Sequence, residues 1–161
     1  MPLSNRKIRE LLKLLGGEFT LNDFISKTQL SPSTAKRYLH ELIRRGYVVE
    51  SGGKYSVAEK GLLLLEGESV SSRSVGEEYS YVFTNENGVP IPLRVDSLEK
   101  LYIVLKYKLL PENILKYHLE KGYLQSWISS VLGGTLLAKK INETRSPSEL
   151  LALLEEYLGV E

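Results

Sequence analysis

Apolar residues in the first third of the chain recur with helical spacing and are interrupted by glycine. Ile8, Leu11, Leu12 and Leu15 fall at i, i+3, i+4 and i+7, and Gly16-Gly17 ends the run, so the pattern predicts a helix over 5–15 with a glycine C-cap. Glu18-Phe19 is a brief extended piece. Thr20 then stands three residues ahead of Asp23, a capping-box start for a second helix over 21–28, with Leu21, Phe24 and Ile25 facing its core. A tight turn, Thr28-Gln29-Leu30, leads into SPSTAKRYLHEL, residues 31–42. Ser31 is a good N-cap and Pro32 suits the first helical position, where its missing N–H costs nothing. The third helix is therefore expected over 32–45, ending at Gly46. Ala35, Leu39, Leu42 and Ile43 form its buried stripe, and Ser33, Thr34, Lys36, Arg37, His40 and Arg44 lie outward.

The period then changes. Tyr47 to Glu50 and Tyr55 to Val57 are short β-prone runs around Ser51-Gly52-Gly53-Lys54, which signals a hairpin, and Leu62 to Leu65 reads as a short closing helix. Beyond Glu66 the stretch EGESVSSRSVGEE has no apolar periodicity, and residues 67–78 are expected to be a linker. Tyr79 to Phe83 and Val89 to Val95 predict a second hairpin, with Pro90 and Pro92 confining the latter run to a sheet edge. Helices follow: 97–107 capped by Asp96, with Leu98, Leu101, Ile103, Val104 and Leu105 on a broad apolar face; Pro111 to Lys121, stopped by Gly122; 124–132; 135–141; and 147–158 behind the capping-box sequence Ser146-Pro147-Ser148-Glu149. The fold class expected is mainly α with small β-hairpins, an N-terminal domain over 1–66 and a mostly helical domain over 79–161.

Composition narrows the chemistry. With 42% hydrophobic and 25% charged residues the chain is globular rather than disordered. It has no cysteine, which excludes disulfides, thiol catalysis and cysteine-ligated metals. Its two histidines lie in different halves with no HExxH or carboxylate cluster nearby, and no P-loop, GxSxG or GxGxxG occurs, so no metal, cofactor or enzymatic activity is expected. The first fifteen residues are amphipathic rather than signal-like, and no apolar run approaches the roughly 20 residues that span a bilayer, which places the protein in the cytoplasm. Absence of cysteine with abundant Leu, Lys, Glu and Tyr points to a thermophilic prokaryote. The net charge of +1 conceals an asymmetry: residues 1–66 hold 11 Lys and Arg against 7 Asp and Glu, and residues 67–161 hold 10 against 13. An acidic partner would meet the N-terminal half.

The ordered set of helix, extended piece, helix, tight turn, helix, hairpin and helix over residues 5–66 resembles the winged helix-turn-helix family. LSPSTAKRYLHELIRRGYVVE is similar to its recognition helix and first wing strand, and KYSVAEKGLLLL to the second wing strand and following helix. The resemblance implies binding to double-stranded DNA, with helix 32–45 in the major groove. Ser31 and Ser33 would then meet phosphates at the helix N-terminus, with Thr34 near the groove. Lys36, Arg37 and His40 would follow along the face that reads base edges or phosphates, with Arg44 beyond and Lys54 at the wing tip. Because the wing carries one lysine and no arginine, its contribution to affinity should be small. Winged helices also serve as docking surfaces for proteins, so a non-catalytic interaction module is the alternative.

In the second half, YHLEKGYLQSWISSVLGGTLLAKKI, residues 117–141, resembles a small prokaryotic domain of unknown function, departing from it at Gly134, where an acidic residue is expected. His118, Tyr123 and Trp127 are candidates to line a ligand pocket, against the plainer reading that His118 is a core histidine bonded to a backbone carbonyl. The leucines of helix 147–158 cover more than one packing stripe, which fits either a homodimer through the C-terminal domain or a helix that closes its own domain's core. Such a dimer would set two recognition helices about one DNA turn, roughly 34 Å, apart.

Overall fold

The computed structural model describes residues 2–160, and the chain divides between Leu65 and Glu66 into two compact units. The first holds α1 (Asn5–Lys13), α2 (Leu21–Thr28), α3 (Pro32–Arg44) and a hairpin of β1 (Val48–Ser51) and β2 (Lys54–Val57). Ser4 caps α1, accepting from Lys7 N at 3.1 Å. This helix ends two residues earlier than the apolar period suggests, because Leu14 and Leu15 close a tighter turn onto the carbonyls of Leu11 and Leu12. The capping box of α2 forms in both directions, Asp23 N donating to Thr20 Oγ1 at 3.1 Å and Thr20 N to Asp23 Oδ2 at 2.9 Å. Gln29 ends α2 in the left-handed region with φ 58°, a conformation that sharpens the turn into α3.

Ile8, Leu12, Phe24, Ala35 and Leu42 are wholly buried in one core with Leu11, Phe19, Leu39, Tyr47, Val48 and Leu64. Each leucine so buried contributes about 1.5–3 kcal/mol. α2 packs against α3, on which the small Ala35 is wholly buried. Phe19 adds a third, one-residue strand to the hairpin: its N–H and C=O each bond Tyr55 at 2.8 Å, and the two rings stack 5.7 Å apart, which turns Tyr55 inward. The hairpin register pairs Ser51 with Lys54 around Gly52 and Gly53, whose φ values of 59° and 80° are those of a two-residue turn that glycine supplies without strain.

α4 (Glu59–Val70) is longer than the expected Leu62 to Leu65 and corrects the linker reading: residues 67–70 are helical, and Val70 is 2% exposed. One apolar residue at the right turn sufficed to bury a stretch whose composition looked too polar to pack. Gly61 lets α4 approach the hairpin, for a Cβ there would stand 2.8 Å from Tyr47 O and 2.7 Å from Val57 Cγ1.

The second unit begins with the last turns of α4. A short 3-10 turn (Glu77–Tyr79) takes the place of the expected strand start at Tyr79, followed by antiparallel β3 (Tyr81–Thr84) and β4 (Pro90–Val95). Asn85 orders the connecting turn, its Oδ1 accepting from Asn87 N and Val89 N. Helices α5 (Leu98–Lys106), α6 (Glu112–Lys121), α7 (Tyr123–Trp127), α8 (Thr135–Ile141) and α9 (Pro147–Leu158) complete the unit. Ser97, not Asp96, caps α5, accepting from Lys100 N at 3.1 Å; Asp96 pairs instead with the Lys100 ammonium. Ile103, expected on the inner face of α5, is 41% exposed. The predicted helix 124–132 changes pitch midway: α7 passes into a π-helical turn (Ile128–Leu132) that ends at Gly133. Phe83, Leu98, Leu101, Leu124, Ile128, Leu132, Leu137, Leu150 and Leu154 form a fully buried interior.

At Gly67 an added Cβ would overlap the Tyr157 carbonyl oxygen, which is backbone and cannot swing aside. Gly67→Ala should therefore destabilise the second unit by about 1–3 kcal/mol or more, the range of overpacking, read as a lower denaturant midpoint. The Thr20 hydrogen bonds hold the Asp23 carboxyl below its ordinary 3.8. A depressed folded-state value stabilises above the unfolded one and is lost as pH falls through it. The stability difference between wild type and Asp23→Asn should accordingly be present at neutral pH and vanish below 3.8 in acid titrations followed by circular dichroism.

Candidate nucleic-acid interface

The candidate surface is the outer face of α3. Ser31 Oγ is spent on the cap, accepting from Thr34 N at 3.3 Å and donating to Thr34 Oγ1 at 2.9 Å, so Ser31 and Thr34 form one bonded pair at the helix start. Ser33, Lys36, Arg37 and His40 are all exposed. Arg37 lies over the ring of Tyr38, 5.3 Å from its centroid, which steadies the guanidinium while leaving its donors available. Tyr38 was not anticipated; its place at i+1 hides it from a search for neighbours at i+3 and i+4.

The one carboxylate of α3, Glu41, is bound to the N-terminal segment. Leu3 N donates to Glu41, 3.1 Å from both oxygens, while Arg45 Nη1 donates to Leu3 O at 2.8 Å. Glu41 and Arg45 thus clamp the Leu3 peptide from either side, and the Glu41 side chain is only 14% exposed. Its negative charge is committed to the N-terminal segment, so it offsets the cations of the outer face weakly. Arg44 retains a long contact to it, 3.8 Å, at the margin of that face. Lys54, at the wing tip, pairs with Glu18 at 3.7 Å, with both side chains mostly in solvent. A surface pair of this kind contributes about 0–1 kcal/mol and yields readily to a phosphate, but it lowers the positive potential of the wing.

The second group of candidate residues is brought together as packing. His118 is 2% exposed and is ringed by Tyr81, Phe83, Tyr117 and Tyr123, with centroids 5.1–5.8 Å away. Its Nδ1 meets Tyr81 Oη, and its Nε2 lies 2.8 Å from Thr84 O and 2.9 Å from Thr84 N. Both neutral tautomers are satisfied: with Nδ1 accepting from Tyr81, Nε2–H donates to Thr84 O; with Nδ1–H donating to Tyr81, Nε2 accepts from Thr84 N–H. Burial pushes the Tyr81 hydroxyl well above its ordinary range, so it remains protonated. Trp127 packs at a tilt against Tyr81, with centroids 5.5 Å apart, and donates its indole N–H to Tyr79 O at 2.7 Å. His118 and Trp127 are buried in this cluster, whereas Tyr123 is 49% exposed at its edge.

Residues 7–70 match the family model described as winged helix-turn-helix. Three helices, a tight turn between the second and third, and a glycine-tipped hairpin followed by a helix are its elements in order, and the N-terminal unit is a winged helix-turn-helix domain. Comparison with curated proteins and with solved structures returned no significant match. No helix among the described residues is long and apolar enough to cross a membrane.

Removing the Tyr81 hydroxyl leaves His118 Nδ1 unpaired in an aromatic surround. Tyr81→Phe should cost about 1–3 kcal/mol in urea unfolding, the range for a buried polar group without its partner, and leave nucleic-acid binding by the N-terminal unit unchanged.

Proposed function

We propose that the chain is a DNA-binding transcriptional regulator of the cytoplasm, in which α3 enters the major groove and the C-terminal unit serves dimerisation or the sensing of a partner or ligand. The observation that carries this reading is the sorting of charge on α3. Lys36, Arg37 and His40 stand exposed, whereas the helix's single carboxylate, Glu41, is committed to the Leu3 peptide and largely covered, its side chain 14% exposed. A docking helix for a protein partner has no need of that separation; a helix facing phosphates does.

In this reading the first turn of α3, with Ser31, Ser33 and Thr34, approaches the backbone, where the helix N-terminus favours anions. Arg37 reads guanine or phosphate, Lys36 and His40 flank it, and Arg44 and Lys54 add peripheral contacts once their carboxylate partners are displaced. No catalytic step is assigned. The alternative, a non-catalytic module that docks protein through the winged helix, draws support from the wing tip, where the only lysine is already paired with Glu18.

Charge reversal separates the two. Lys36→Glu combined with Arg37→Glu, both at exposed sites, should leave thermal unfolding within about 0.5 kcal/mol of wild type. It should abolish retardation of random duplex DNA at low salt and lower the salt slope of binding by about 2, one for each lost phosphate contact. Unchanged binding, or no binding by wild type, would exclude the DNA reading.

A further inference from the structure

The second unit contains a cavity of about 360 Å³ lined from α6, α7, α8 and the start of α9. This lies within the roughly 300–1,000 Å³ of small-molecule sites. Leu119 and Ile141 give it apolar walls, and Gln125 and Asn142 are among its polar ones.

Gln125 is 7% exposed. Its Nε2 donates to Leu119 O at 3.0 Å and to Asn142 Oδ1 at 3.1 Å. Both partners are acceptors, so the amide cannot be turned over, and the orphan is fixed as Oε1, which is buried with no hydrogen-bond partner. Native interiors rarely leave such an acceptor empty, and one that persists beside a cavity marks a place where a donor from outside completes the set.

Charge at the same cavity is also uncommitted. Lys116 and Arg145 line it, and no ion pair among the described residues engages either. Arg145 uses only its backbone N–H, which donates to Glu149 Oε2 at 2.7 Å. Glu120 shares the lining, so these three side chains carry one net positive charge. Ser146 and Pro147, at the N-terminus of α9, complete this side, where the helix dipole favours an anion.

We propose that this cavity binds a small metabolite with one anionic group, carboxylate or phosphate, and an N–H or O–H donor. The anion sits between Lys116 and Arg145, and the donor reaches Gln125 Oε1. The balance of two cations and one carboxylate suits a single carboxylate or phosphate group, or a zwitterion whose ammonium faces Glu120, over a ligand with several anionic groups. The site lies wholly in the second unit and is independent of whether α3 binds DNA.

The test is titration of the full chain, without DNA, with L-glutamine as the carboxylate probe and AMP as the phosphate probe, followed by calorimetry and by the Gln125 side-chain amide resonances. Acetate and sulfate, which lack a donor, are the controls. Saturable binding by one probe is expected, with the Gln125 amide signals shifting and the controls binding at least about tenfold more weakly. Lys116→Gln with Arg145→Gln, both at exposed positions, should weaken binding about tenfold or more while leaving the unfolding transition in place. The proposal is overturned if neither probe saturates below about 10 mM, if the double variant binds equally well, or if the controls match the probes.

Discussion

Three donors converge on one carboxylate at the start of the second unit. α8 begins at Gly134 with no side chain to cap it, so its first N–H groups would be orphans. Glu66, from the last turns of α4, takes two of them, Leu136 N at 2.9 Å and Leu137 N at 3.0 Å, and also accepts from Tyr157 Oη at 2.8 Å. Hydrogen bonds to a charged group contribute about 1.5–3 kcal/mol each, and a carboxylate at a helix N-terminus gains further from the dipole. Burial, then the bond to Glu66, push the Tyr157 hydroxyl far above its ordinary range, so it serves as a permanent donor. For α4, α8 and α9 to meet at one carboxylate their backbones must come very close, which is why Gly67 abuts the Tyr157 carbonyl and Gly134 abuts Ile128 and Tyr157. Arg73 ties the same region from another side, donating to Leu132 O at 2.6 Å and to Ser69 Oγ at 3.2 Å.

The first unit uses a carboxylate in the same manner, and there the consequence reaches function. Glu41 is the only acid of α3, and on an isolated helix it would pair with Arg37 or Arg44 and blunt their field. Binding the Leu3 N–H holds it in a half-buried position with only a long contact to Arg44, and Arg45 completes the clamp. Arg45 and Lys60 both lie over the Tyr47 ring, 5.6 and 4.6 Å from its centroid, and Lys60 also donates to Arg45 O. The basic residues of this unit therefore divide into those that hold the fold together, Arg45 and Lys60, and those that leave the outer face of α3 positive, Lys36 and Arg37.

Sequence periodicity carried the N-terminal unit almost entirely, because its elements are local: a capping box at Thr20 and Asp23, a proline at the first position of α3, and a glycine pair between β-prone runs each act within four residues. It failed where a distant group decides. Nothing near Glu66 says that its partners lie seventy and ninety residues away, and so the polar composition of 67–78 read as linker although Gly67 and Val70 are packed. The same limit applies to chemistry. His118 and Trp127 stand out in the sequence as residue types, whereas Gln125, between them in the chain, gives no signal. Only the knowledge that Leu119 O and Asn142 Oδ1 take its two donors reveals that its oxygen is left over.

On the DNA-binding reading, the charge inventory also bears on assembly. One copy offers Lys36, Arg37 and His40 on α3, Arg44 at its margin and a wing lysine that must first leave Glu18, so it neutralises only a few phosphates. Since each neutralised phosphate contributes about one unit of salt slope, a single copy would hold DNA weakly at physiological salt, and specificity from one guanine-reading arginine would add about 1–3 kcal/mol. Two copies on one duplex double the slope, and once joined the second engages at high effective concentration without any new contact. On the same reading we propose α9 as the joining face, where Leu150, Leu154 and Tyr157 are buried in the unit's own core but Leu151, Leu153 and Leu158 are only partly covered. The weakness of the wing and the incomplete covering of α9 thus favour the same arrangement, a symmetric pair in which affinity comes from the number of α3 helices engaged rather than from the contacts of either one.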